Sequence, residues 1–345
     1  MAGTLGDADR TRLDRWAEQR FGTPPSPPLD AWTRDLLGDM PEAWVPRDGA
    51  QMVALASGRV LSLGGWNPRD LWGAGDRVTN EVWSSDDRGA TWQLLLPHDP
   101  EAQRFPPGHT VGVTTYQGHA VVIGSDCLRA PYNGDVWHES DDGLTWTKVA
   151  GDAPSLGRCL MMVGKIGDDI YMMGGQANLY DPTTGFRDVW RSSDGGVRWT
   201  ELAKPPWTAR GMVYRPAELD GRLYVIGGGL YADADITPPA YNGVFAFDGS
   251  TWTTVLADGH AQWQASYYNA VAALGGRLWL FDGFTGIDEL SRVMVSDDHG
   301  ATWRELPGGA GGDPSHADQV VALDDRILRI SGNLSERRVY AFRRR

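Results

Sequence analysis

The sequence predicts an all-β fold, a six-bladed β-propeller of four-stranded blades, with the last blade closed by a strand from the N-terminal part of the chain. Three observations carry this. A short box recurs as "SSDDRGATW" (Ser84 to Trp92), "HESDDGLTW" (His138 to Trp146), "RSSDGGVRW" (Arg191 to Trp199) and "MVSDDHGATW" (Met294 to Trp303). Six apolar segments end in small residues: "VLSLGG" from Val60, "AVVIGS" from Ala120, "IYMMGG" from Ile170, "LYVIGG" from Leu223, "LWLFDG" from Leu278 and "ILRISG" from Ile327. The stretch "AWTRDLLGD" (Ala31 to Asp39) also matches "TWTKVAGDA" of the second unit.

Each unit reads in the same order. An alternating stretch and a tight turn give the first strand, as in "MVALASGR" and "RPAELDGR". The apolar segment is the second strand. A variable loop leads to a third strand ("EVWSS", "DVWHES", "DVWRSS", "GVFAF", "RVMVS", "RVYAF"), and the fourth begins at the box Trp. Four short strands recurring at about 50 residues describe a propeller blade. The sixth unit ends after its third strand, so residues 31 to 37 are expected to supply the fourth. Such closure removes an exposed sheet edge. Residues 1–30 are expected to hold a short helix (Asp7 to Gly22) and the proline linker "TPPSPPL", and residues 31–345 the propeller.

Within the box, the Asp can accept hydrogen bonds from its own turn, and Gly takes a backbone conformation that disfavours side chains. The Trp is expected to anchor neighbouring blades. The boxes lie on one face of the ring. The variable loops lie on the other, and function is expected there.

The totals narrow the function classes. The chain of 345 residues has a formal net charge of -13, which disfavours nucleic acid and anionic membranes as partners. Two cysteines are too few for a disulfide framework, and no apolar run reaches the ~18 residues of a membrane span. The charged start "MAGTLGDADRTRLDRW" lacks a signal-peptide core, so a cytoplasmic protein is expected.

The apolar strand ending in Gly-Gly, with an aromatic third strand and a Trp, resembles the kelch repeat. The Ser-x-Asp-x-Gly-x-Thr-Trp turn resembles the Asp-box (BNR repeat) of sialidase-type propellers. It is full at Ser85, Asp87, Gly89, Thr91 and Trp92, and again at Ser296, Asp298, Gly300, Thr302 and Trp303. Glu139 stands in the Ser place and Arg198 in the Thr place of two other boxes. "TARGMVYRPAELDGRLYVIGG" is similar to a blade of the galactose-oxidase family, with Met212 where that family has its cross-linked tyrosine. The sialidase Arg-Ile-Pro start motif is missing. Kelch propellers that act as sialic-acid mutarotases are the nearest functional analogy.

Candidate site residues follow from aligning the first strands, which are innermost in a propeller. The alignment reads Arg47, Gly49, Gln51; Pro107, His109, Val111; Gly157, Cys159, Met161; Arg210, Met212, Tyr214; Ala265, Tyr267, Asn269; and Pro314, His316, Asp318. A one-residue slip would exchange the two sets. His109, Cys159 and His316 at one level, with Tyr267, suggest a transition-metal site for copper, iron or zinc. Arg47, Arg158 and Arg210, with Trp44, Trp66, Trp207 and Trp263, suggest a mouth that holds a carboxylated, sugar-like ligand. Each arginine alone reads better as a brace between neighbouring blades, and the cluster supports either role. Acid–base candidates are His109, Tyr267, His316 and Asp318, with Asp48, Glu81 and Glu218. Three functions stay open: a mutarotase- or epimerase-like enzyme or a binder of a small polar ligand; a metal-dependent enzyme; and a kelch-type scaffold with a protein partner.

Overall fold

The computed structural model describes residues 31–344 apart from 74, 125, 212–214 and 234–237. The helix and linker expected over 1–30, and the positions of Met212 and Tyr214, lie outside the described residues. The described residues form six four-stranded antiparallel sheets. The first strand in the chain is β1 (Trp32–Asp39). Blade one is β2 (Gln51–Ala54), β3 (Val60–Leu63), β4 (Val82–Ser85) and β5 (Gln93–Leu96). Blade two is β6 (Gly112–Tyr116), β7 (His119–Ile123), β8 (Val136–Ser140) and β9 (Thr145–Ala150). Blade three is β10 (Met162–Ile166), β11 (Asp169–Met173), β12 (Val189–Ser192) and β13 (Thr200–Glu201). Blade four is β14 (Ala217–Leu219), β15 (Arg222–Ile226), β16 (Val244–Phe247) and β17 (Trp252–Leu256). Blade five is β18 (Ala270–Leu274), β19 (Arg277–Phe281), β20 (Val293–Ser296) and β21 (Arg304–Glu305). Blade six is β22 (Gln319–Ala322), β23 (Arg326–Ile330) and β24 (Arg338–Arg344), completed by β1. The closing strand runs two residues further than the sequence suggests, and it pairs from Trp32↔Arg344 to Asp39↔Arg338.

Burial follows the order of strands. The second strands are buried almost throughout, because neighbouring blades cover both their faces. That is why they read as continuous apolar runs. The fourth strands are largely exposed. The core is therefore a series of clusters between adjacent sheets. One joins Val53, Leu61 and Val82 of blade one to Val113, Val122 and Trp146 of blade two.

The box turns fasten these seams. Asp87 accepts from the Thr91 backbone N–H at 2.8 Å and from the Thr91 hydroxyl at 2.6 Å, while Ser85 Oγ accepts from Gly89 N–H at 2.9 Å. Asp298, Thr302, Ser296 and Gly300 repeat the pattern. The two departures keep it by other atoms: Arg198 Nε donates to Asp194 at 2.8 Å, and Glu139 accepts from Gly143 N–H at 2.7 Å. Gly89 has φ +89°, and a Cβ there would meet Leu328 of blade six at 2.7 Å. The box glycine is thus required both by conformation and by close approach to the preceding blade. Trp32, the equivalent anchor on β1, packs edge-on against Trp279 of blade five at 4.7 Å between ring centroids.

Closure by β1 sets the first expectation. Deletion of residues 1–40 removes both the outer strand of blade six and the Trp32 anchor, and leaves an unpaired edge on β24. This protein is expected to aggregate in size-exclusion chromatography. Deletion of residues 1–22 is expected to leave a soluble protein with a cooperative melt. A soluble, cooperatively melting 1–40 deletion would contradict the closure.

Candidate functional site

Among the described residues, five of the six first strands are entered through a kink. Gly49, Thr110, Leu160, Tyr268 and Ala317 have φ of +60°, +57°, +56°, +59° and +57°. Four of these are not glycine, so the left-handed backbone costs about 1 kcal/mol or more at each. The residues just before the kinks are Asp48, His109, Cys159, Tyr267 and His316. Isolated bridges Asp48↔Trp66, Cys159↔Gln176, Gly211↔Gly229 and Tyr267↔Phe284 place Gly211 at the same level in blade four. The expected register is therefore one residue off in blades one and four, where Asp48 and Gly211 take the places expected for Gly49 and Met212. The kink resets the alternation, and period-two counting cannot see it. Close approach also requires glycine at 49, since a Cβ on it would meet the His109 ring at 2.9 Å.

This level opens into a cavity of about 1010 Å³ on the face opposite the boxes, walled by strand entrances and by the loops between second and third strands. Its two halves differ. Blades six, one and two, with a loop of blade five, contribute titratable groups. Asp126 hydrogen-bonds His109 Nδ1. Glu289 bonds His316 Nδ1 at 2.8 Å through both oxygens, and His316 Nε2 lies 3.8 Å from Asp48 Oδ2. Asp48 Oδ1 is buried and has no hydrogen bond among the described residues. The other half is aromatic and apolar, with Leu160, Leu179, Tyr180, Tyr231, Tyr268 and Phe284. Tyr268 and Phe284 also flank His316, at 4.9 and 5.7 Å between ring centroids.

Environment tunes these groups. Burial pushes His109 down, but the hydrogen bond and charge of Asp126, with Asp48 behind, outweigh it and bring the imidazole up to about 9. Burial likewise opposes the charge on His316, and Glu289 and Asp48 overcome it, so its pKa also rises. Burial raises Asp48; His109 and His316 pull it back in part, while Glu289 and Asp126 push it further up. The result is a cationic acid, His109, in the field of a carboxyl group that takes up a proton more readily than usual. Two groups driven in this way suit a division into acid and base.

Of the residues singled out in the sequence, Trp66, His109, His316 and Asp48 line this cavity. The remaining candidates lie elsewhere. Arg47 is buried and pairs with Glu81 at 2.6 Å; Arg158 forms a two-pronged pair with Asp188 at 2.8 Å; Arg210 pairs with Asp258 at 2.6 Å. Each also donates to a carbonyl at the end of its own second strand: Gly64, Gly174 or Gly227. They tie the strand entrances to the outer parts of their own blades and do not reach the cavity, so the structure gives them the brace role in place of the ligand role. Trp44, Trp207 and Trp263 are buried and pack against Trp83, Trp252 and Trp303. Tyr267 is buried behind Tyr268, and burial pushes its hydroxyl up to about 12. Asp318 is held by Arg329 at 2.7 Å in a network with Asp282 that joins blades five and six, which makes it a structural carboxylate.

The metal set does not assemble. Cys159 sits in an apolar cluster with Cys127, Tyr132 and Leu179, and the Nδ1 atoms of His109 and His316 are taken by carboxylates. Among the described residues no group of three or more His, Cys, Asp or Glu side chains has the spacing to hold a metal ion.

Four charged residues of the cavity escape the sequence reading: Asp126, Glu289, Arg77 and Arg129. All lie on loops between second and third strands, where no periodicity marks them. Arg129 pairs with Asp76, whereas Arg77 is exposed at the rim with no acidic partner among the described residues. No protein-family model matches the chain, and no curated protein matches it.

Two outcomes follow from this geometry. Because His109 has a folded-state pKa raised to about 9, its protonated form contributes stability that is fully present below about pH 6.5 and is lost as pH rises through about 9. The stability gap between wild type and His109→Gln, measured by urea denaturation, should therefore shrink between pH 6 and pH 10. Arg158→Ala leaves Asp188 with a stranded charge and should cost about 3–5 kcal/mol in the same assay. A loss below about 1 kcal/mol would contradict the brace role.

Proposed function

We propose that the chain is a small-molecule enzyme that moves protons on a polar, carboxylated, sugar-like ligand bound in the cavity opposite the boxes, as a mutarotase or epimerase does. One observation carries this: Asp48 Oδ2 lies 3.8 Å from His316 Nε2 and feels the charge of His109, and each histidine is backed by its own carboxylate. Interconversion of anomers needs one group to take a hydroxyl proton and another to protonate the ring oxygen. Asp48, which lines the cavity, is assigned as the base and His109 as the acid. His316 holds Asp48 in place and tunes it. The aromatic half of the cavity offers faces for the C–H surfaces of a sugar ring, and exposed Arg77 suits a carboxylate at the rim.

The test is anomer exchange of uronic and ulosonic acids, followed by NMR saturation transfer. Wild type is expected to accelerate exchange of at least one such sugar. Asp48→Asn should lose on the order of 100-fold or more of the rate, the usual share of a positioned acid or base. Its melting temperature should stay close to wild type. Binding without exchange would reduce the protein to a binder. No binding of any acidic sugar would overturn the proposal and favour a scaffold role.

A further inference from the structure

The cavity at the mouth is larger than one acidic sugar requires. A hexuronic acid has about 13 heavy atoms and, at no more than the ~30 Å³ of a water molecule apiece, fills at most about 400 Å³. The cavity measures about 1010 Å³, which matches a whole drug-sized ligand. A sugar acid held near Asp48, His109 and Arg77 therefore leaves more than half of it unfilled.

The wall away from these groups is apolar and continues onto the surface. Leu160 of blade three is buried below, and Leu179 stands beside it in the same cluster. Leu128 and Tyr180 line the same cavity yet are 45% and 50% exposed. Apolar side chains held at a cavity wall and open to water mark a surface that a ligand covers. Tyr180 meets Tyr231 of blade four edge-on, at 5.9 Å between ring centroids. The platform is held from behind. Gln176 is buried; its Nε2 donates to the carbonyls of Asn178 and Leu179 at 2.7 and 2.8 Å, and its Oε1 accepts from Tyr231 N–H at 2.7 Å. Backbone carbonyls only accept and a backbone N–H only donates, so these partners fix the amide orientation and occupy both its ends.

This wall discriminates between possible occupants. Leucine side chains give a second sugar ring nothing to replace the hydrogen bonds that its hydroxyls make to water. A planar aromatic ring loses no such bonds and packs against the leucines and the tyrosine pair. We infer that the acidic ligand of this cavity carries an aryl substituent, which lies on Leu128, Leu160, Leu179, Tyr180 and Tyr231. The inference rests on the proposed acid–base site for the polar head of the ligand and adds its apolar tail. In a molecule that is turned over, the aryl group stands on a carbon other than the anomeric one, since exchange needs that hydroxyl free. An aryl glycoside occupies the site without reacting, which makes it a binding probe.

Dissociation constants of phenyl and methyl β-glucuronide and of 3-phenylpropionate are measured by isothermal titration calorimetry on the full chain. Burial of the ring should make the phenyl glucuronide bind at least roughly tenfold tighter than the methyl one. Leu128→Ser with Tyr180→Ser, both at exposed positions, should reduce that ratio to about threefold or less. Equal affinities for the two glucuronides in wild type would overturn the inference and leave the acid–base reading standing. An unchanged ratio in the double variant would overturn the placement of the ring. Binding of 3-phenylpropionate alone, weakened in the double variant, would keep the aryl wall and remove the sugar head. Failure of all three probes to bind would overturn the aryl site together with the reading it rests on.

Discussion

The pairing of β1 with β24 is the contact on which the rest of this ring depends. A propeller has no central core; its stability is the sum of seams between neighbouring sheets. Each seam needs both partners in place, so an open ring would leave blade six incomplete on its outer edge. The seam between blades six and one also borders the candidate site. His316 comes from blade six, Asp48 from blade one and His109 from blade two. Hydrogen bonds made at the periphery by Trp32 to Asp39 thus help hold an imidazole and a carboxylate within 3.8 Å at the centre.

The charges of the molecule are sorted by depth. At the strand entrances, arginines are buried against acids of their own blades, where one missing partner would leave a charge in low dielectric. At the mouth, the pairs are histidine with carboxylate and stay open to the cavity, so their protonation can change without unfolding the ring. At the waist of the channel, Gln51 and Gln319 are buried beside Asp318. These three environments lie along one channel and differ chiefly in which partner the backbone brings near. Arg329, between Asp282 and Asp318, marks the boundary between the structural and the titratable layers.

Much of the architecture was legible in the sequence because it repeats. The boxes, the buried second strands and the matching N-terminal strand each carry a local pattern with a single physical cause. The site was less legible, for two reasons. The left-handed kinks after Asp48 and His109 break strict alternation, and a gapless count put Gly49 where Asp48 belongs. The arginines were correctly placed at strand entrances, but their partners were not recognised. A signal for two of them was present: Glu81 and Asp188 each stand two residues before a third-strand Trp. Each accepts from that Trp, Trp83 at 3.0 Å and Trp190 at 2.8 Å, as well as from its arginine. Asp126 and Glu289 had no such signal, since nothing in a variable loop fixes which residue will turn inward.

The central claim is that Asp48 couples His109 and His316 into one titrating unit. NMR titration of both imidazoles tests this most directly, in wild type and in Asp48→Asn. Coupling predicts that both histidines titrate above the usual 6.5, and that removing the Asp48 charge lowers both together. Two rings that keep their wild-type midpoints in Asp48→Asn would show that each answers only to its own carboxylate. The row would then be two separate pairs, and the assignment of Asp48 as the base would fail.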